Sequence, residues 1–269
     1  MKKDVIKELI KKSSNNFHYQ VVDFLRSNGW FVLVSPYYND NLTDKPREID
    51  IVAEKKFDVR EIFNEWLGTL NIRLFIECKY ISKPIVFWFD KKNKEKAIQR
   101  IVGDTPLHHP KENIGINGHH YLIDTDVAKL FSSTPDRSSD SEIIYKAINQ
   151  SLNAMIYYKN TPSILPEEPR KAIRILGMIN YPLILCNDFN LLYKVDSTTK
   201  DGYSEIKDKF QLEVDYVYLD NNKSSKSEYF IIDVVDFCRF DEFFKKLEET
   251  DIAIIKEAII WEKRTGKNN

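Results

Sequence analysis

The stretch Arg73–Ile81, RLFIECKYI, constrains this chain more than any other, because it sets two opposite charges, Glu77 and Lys79, inside an apolar strand-like run. Side chains on a strand alternate faces, so Glu77 and Lys79 share one face while Ile76, Cys78 and Tyr80 take the other. Charges are seldom kept in a buried strand without a use. A second run, Glu48–Ala53 (EIDIVA), alternates Ile49, Ile51 and Ala53 with Glu48, Asp50 and Val52. If the two runs pair, Asp50, Glu77 and Lys79 gather at one sheet edge. Two carboxylates can hold a divalent cation by hard oxygen ligation, and a lysine beside them can take a proton from water. On its own, a Glu and a Lys two residues apart is ordinarily a solvated pair. The apolar flanks, and Asp50 within an apolar run of its own, lift the pattern above that.

The rest of the chain sets bounds on this reading. At 269 residues, 42% hydrophobic and 30% charged, it has the makings of one large domain with a sizeable core. A net charge of −1 supplies no general attraction to polyanions. That argues against a protein that simply coats nucleic acid, but not against an enzyme with a local basic surface. Cys78, Cys186 and Cys238 are far apart and odd in number, forming neither a zinc pair nor a disulfide framework, and a cytoplasmic location is expected. The N-terminus lacks a signal-peptide core, and no run of ~18 apolar residues exists, so no membrane partner is expected.

Taken in order, residues 4–12 suit an amphipathic helix with Val5, Ile6, Leu9 and Ile10 on one side. Phe17–Ser27 suits a second helix, stopped by Asn28-Gly29. Trp30–Tyr38 and Glu48–Ala53 read as strands, Phe57–Leu70 as a helical insertion, and Arg73–Ile81 as the next strand. Glu142–Tyr158 is the clearest helix, with Ile144, Ala147, Ile148, Leu152 and Met155 at helical spacing. Ile173–Asn187, Leu191–Val195, Leu212–Leu219 and Tyr229–Phe237 read as strands, and Asp241–Arg264 as helical. Asp233 and Asp236 fall on opposite faces of their strand, which favours structural roles. Val86–Phe89 reads as an aromatic surface.

Helix, strand, strand, insertion, strand, with EID and ECK in place, resembles the PD-(D/E)xK nuclease superfamily in its bacterial, restriction-endonuclease-like members. The resemblance covers residues 17–81 well and 141–190 more loosely. It implies an α/β fold with a restriction-endonuclease-like αβββαβ core, in which a mixed central sheet is flanked by helices. That core would take residues 13–81 and 141–190 of a single domain spanning 1–269. Residues 82–140 would be an insertion and 191–269 a C-terminal elaboration of strands and helices.

The resemblance further implies Asp50 and Glu77 as ligands of Mg2+ (Mn2+ substituting), Lys79 as the catalytic lysine and the Cys78 backbone carbonyl as an added metal ligand. Phosphodiester hydrolysis, chiefly of DNA and in restriction or phage defence, would follow, and a homodimer would suit cutting of two strands. The alternative is a nucleic-acid-binding or assembly module that kept the fold and lost the chemistry. Two features depart from the pattern. Ile49 stands where many members have proline, and Gln20 is the inward-facing polar candidate in the helix where some branches have a metal-binding glutamate. Gln150 matches a supporting glutamine of some branches.

Two further clusters stand apart. Lys91, Lys92, Lys94, Lys96 and Arg100 form the most basic segment, either a solvated helix face or an arm contacting phosphates. His108, His109, His119 and His120 lie among glycines and prolines. Adjacent histidines are expected to point apart, which favours loop histidines over a zinc site.

Overall fold

The computed structural model describes residues 2–61, 63–107, 114–133, 141–159, 161–166, 174–196, 202–220 and 222–264. A large mixed sheet flanked by helices organises them. Its strands are β1 (Phe31–Val34), β4 (Ile51–Arg60), β5 (Trp66–Lys79), β6 (Ile85–Lys91), β7 (Asp126–Ser133), β8 (Ile175–Cys186), β9 (Leu192–Asp196), β10 (Ser204–Glu205), β11 (Phe210–Leu219) and β12 (Ser225–Asp236). They run in the order β1-β4-β5-β8-β12-β11-β7-β6-β9-β10. A small ladder of β2 (Tyr37–Asn39) and β3 (Pro46–Glu48) stands beside them. The helices are α1 (Lys2–Lys12), α2 (Ser14–Ser27), α3 (Lys94–Asp104), α4 (His120–Ile123), α5 (Ser141–Tyr158), α6 (Phe240–Lys246) and α7 (Ile252–Arg264).

β1, β4 and β5 are antiparallel neighbours, whereas β8 runs parallel to β5 and β12 parallel to β8. Each face of this sheet carries its own core. One packs α2, α3, α6 and α7 against Ile51, Ala53, Ile72, Leu74, Ile76, Tyr181 and Leu183. The other packs α5 against Val52, Phe75, Ile184, Ile232 and Val234. β5 is buried over nearly its whole length because both faces are covered.

The N-terminal helix that enters this sheet ends as its residues dictate. Asn28 caps α2, Gly29 adopts φ +78, and the Gly29 and Trp30 amides bond back to the Arg26 and Leu25 carbonyls. That is the left-handed glycine stop, which a Cβ would strain.

Three expectations need correction. Phe57–Leu70 is a hairpin: β4 runs on through Phe57 and Val59 and returns as β5 from Trp66. Phe63, Trp66 and Leu67 do fit helical spacing, but Phe57 and Val59 alternate with the exposed Lys56, Asp58 and Arg60, and pairing along a ready-made edge decides for strand. Trp30–Tyr38 and Glu48–Ala53 are each broken, into β1 and β2 and into β3 and β4. The breaks fall opposite one another at Ser35-Pro36 and Ile49-Asp50, where Ser35 takes φ 49. Val86–Phe89 is no open aromatic surface either, because Phe87 is fully buried between Phe131 and Phe210.

Candidate active site

Asp50 sits at the break, not within a strand. Its carbonyl accepts from the Ser35 amide (2.8 Å) and faces His18 Nε2 on α2 (2.9 Å). The kink leaves the side chain free to lie over β5, where Oδ2 accepts the Cys78 amide at 2.7 Å. The Asp50 amide in turn approaches Glu77 Oε1 (3.3 Å). Lys79 Nζ lies 2.5 Å from Glu77 Oε2 and 3.7 Å from Asp50 Oδ2. The three side chains of the sequence motif therefore meet on one face at the C-terminal end of β5. Asn187, just past β8, fixes that end: its amide donates to the Lys79 carbonyl (3.1 Å), and its Oδ1 accepts the Ile81 amide (2.6 Å).

The electrostatics follow from burial. Glu77 has no exposed surface, and desolvation pushes its carboxyl up to about 8, against the pull of Lys79 and with the push of Asp50. Burial alone would lower Lys79, yet Glu77 and Asp50 outweigh it and the ammonium is held above its ordinary range. Burial also pushes the Cys78 thiol up, with Asp50 and Glu77 adding to it, and the side chain packs against the α2 core on the opposite face. The buried Tyr38 hydroxyl is likewise raised, by burial and then by Glu77.

These residues suit a divalent cation. Glu77 is a buried carboxyl whose charged form a single ammonium does not fully offset against desolvation, and among the described residues no hydrogen bond reaches Asp50 Oδ1. Hard oxygen donors with incomplete charge compensation are what Mg2+ or Mn2+ take.

The supporting residues divide. Gln150 of α5 donates to the Glu48 carbonyl at 3.0 Å and so steadies β3 just before the kink. Gln20 is exposed, a correction to its inward placement; His18 is the α2 residue that reaches the site. Helical spacing carried that signal, since positions 18, 22 and 25 share the stripe of Val22 and Leu25.

The basic segment lies on β6, five strands along the sheet from β5, and on α3, which packs on the sheet face opposite the site. Lys91 pairs with Asp126 (2.7 Å), Lys96 with Asp215 (2.8 Å), and Arg100 with Asp104 (2.6 Å) and Glu228 (3.2 Å). Lys92 donates to the Tyr121 carbonyl and Gln211. Lys94 is exposed. Much of this charge is answered by nearby acids.

His108 and His109 lie outside the described residues. His119 and His120 do not point apart: their rings stack with centroids 4.9 Å apart, both buried. Donor atoms of His119, His120 and Asp251 lie within 4.8 Å of one another, close enough to suggest a metal. The hydrogen bonds favour another use. His120 places Nδ1 on Asp251 and Nε2 on Asp233 (2.9 Å), so both nitrogens face carboxylates. His119 Nδ1 accepts the Tyr121 amide, which leaves the proton on Nε2, facing the Tyr181 hydroxyl. Burial lowers His119 to about 3. The two aspartates overcome the same effect at His120 and raise it to about 9, so an imidazolium bridges two carboxylates. Asp236 caps the Phe189 and Cys238 amides, a structural role like that expected for it.

No protein-family model, curated protein or solved structure matches this chain.

Proposed function

We propose that the chain is a metal-dependent nuclease that hydrolyses phosphodiester bonds, most readily in DNA, on a restriction-endonuclease-like core. The succession α2, β1, β4, β5, α5, β8, with β5 parallel to β8, supports that core assignment. A single observation carries the chemistry: Asp50, Glu77 and Lys79 converge on one face at a sheet end, with the glutamate fully buried.

Asp50 and Glu77 would hold Mg2+ or Mn2+. When bound, such an ion supplies Lewis acidity toward a phosphoryl oxygen and lowers the pKa of a coordinated water. Lys79 enters as an ammonium, held charged by the two carboxylates, and its role is to stabilise negative charge developing on the phosphoryl group. The Cys78 amide holds the Asp50 carboxylate, and Asn187 and Gln150 fix the two backbone segments that carry the site.

The test is cleavage of plasmid and single-stranded DNA with Mg2+ or Mn2+. Asp50→Asn and Lys79→Ala are each expected to lower the rate at least ~100-fold, with thermal melting little changed. Equal activity in either variant would remove the assignment. An inactive wild-type chain that still binds DNA, but takes up no Mg2+ or Mn2+ by calorimetry, would point instead to a binding module of the same fold.

A further inference from the structure

Helix α1 has its apolar face turned outward. Val5, Ile6, Leu9 and Ile10 are 65, 55, 70 and 53% exposed, whereas the matching stripe of α2 (Phe17, Val21, Val22 and Leu25) is buried in the first core. Four aliphatic side chains side by side on one short helix form a patch, and such a patch on a soluble surface ordinarily has an occupant.

Charge and area narrow the choice. Residues 2–12 contain Lys2, Lys3, Lys7, Lys11 and Lys12 against Asp4 and Glu8, a net charge of 5 − 2 = +3 in a chain whose total is −1. At about 100° per residue, positions 5, 9, 6 and 10 span roughly 140° of the helix, with positions 12 and 3 at its two borders and position 2, at the helix start, within it. Lysine at both borders of an aliphatic arc is the pattern of a helix lying in a lipid–water interface. There, aliphatic side chains enter the acyl boundary and long amines reach headgroup phosphates.

A second copy of the chain fits less well. The patch offers only a few hundred Å2 a side, short of the ~1,200 Å2 of total burial that stable association needs. A second copy would also double the net positive charge of this helix at the contact. Nucleic acid would answer the lysines but not the aliphatic arc.

We propose that α1 docks the protein on an anionic lipid surface, lying in the interface. No described helix is long and apolar enough to cross a membrane, and an interfacial helix does not need to be. This proposal is independent of the nuclease reading.

The test is co-sedimentation of the full chain with vesicles of phosphatidylcholine alone or mixed with phosphatidylglycerol. The expected result is binding to the anionic vesicles, at least ~5-fold weaker on the neutral ones and weakened by salt. In the double variant Ile6→Glu, Leu9→Glu, binding should be lost with no change in melting temperature, since both side chains are already exposed. A wild-type chain that stays in the supernatant with anionic vesicles overturns the proposal, as does a double variant that binds equally well. A dimer in light scattering that the double variant abolishes would assign the face to a second copy and overturn it too.

Discussion

Arg73 and Glu54 occupy the face of β4 and β5 that also carries the candidate site. Both are fully buried, and their charges are answered completely. Arg73 donates to Glu54, to the Tyr158 and Pro162 carbonyls and to Thr161. Glu54 accepts in addition from Asn71, Ser163 and the Ile164 amide. The guanidinium thereby fastens the end of α5 and the segment after it to the strand that bears Glu77. A buried pair of this kind is weak evidence for net stability, but removing one partner strands a charge. Arg73→Met is therefore expected to cost about 3–5 kcal/mol in urea unfolding, with much of the loss recovered in the double variant Arg73→Met, Glu54→Leu. A single-variant cost below ~1 kcal/mol would mean that Glu54 is not left stranded.

At the scale of elements, His120 ties together parts of the fold that the chain keeps far apart. Its amide and Nδ1 bond Asp251, at the end of a π-helical turn (Leu247–Asp251) between α6 and α7, and its Nε2 bonds Asp233 on β12. Gln211 of β11 donates to Asp233 and accepts from Lys92, which also donates to the Tyr121 carbonyl. His119, Tyr121 and Tyr181 close the remaining sides, and Lys209 adds positive charge near Asp233. A π-helical turn is an irregularity that re-aims a side chain, and here it delivers Asp251 to the imidazole.

The sign of the pH dependence follows from this network. The His120 folded value, about 9, lies above its ordinary 6.5, so the proton is bound more tightly in the folded state. The stabilisation is complete below about pH 6.5 and is lost as pH rises through about 9. Melting temperature should fall between about pH 6.5 and about pH 9. In Asp233→Asn, where one carboxylate no longer holds the proton, that fall should be smaller and end at lower pH. Superimposable alkaline limbs for the variant and the parent would show that His120 is not their cause.

At the scale of the whole molecule, segments remote in sequence complete the sheet on which the site stands. β8 lies between β5 and β12, and α6, the π-helical turn and α7 supply Phe240, Phe243, Phe244, Leu247, Ile252, Ile255 and Ile259 to the core beneath β4 and β5. A chain cut after residue 191 keeps Asp50, Glu77 and Lys79 but uncovers one edge of β8 and most of that core. It should lack a cooperative thermal transition by circular dichroism and have no cleavage activity. A cooperative, active fragment would mean that the first 191 residues hold their own core.

How much of this was legible in sequence depends on how local the cause was. Gly29 after Asn28, the stripe of α5, the β11–β12 hairpin and the two-residue separation of Glu77 and Lys79 are set by short-range geometry, and all could be read directly. Alternation alone placed Glu77 and Lys79 on one face, and pairing of β4 with β5 brings Asp50 to them. The break at Ser35-Pro36 and Ile49-Asp50, the strand character of Phe57–Leu70, the outward apolar face of α1 and the stacking of His119 on His120 were not legible. Each depends on which partner a segment meets, and a segment's own pattern carries no record of its partner. The sequence by itself determined which chemical groups the site contains and the face on which two of them stand. Only the tertiary structure decided that Glu77 is sealed from water while Asp50 is not, because burial is a property of everything packed around a residue.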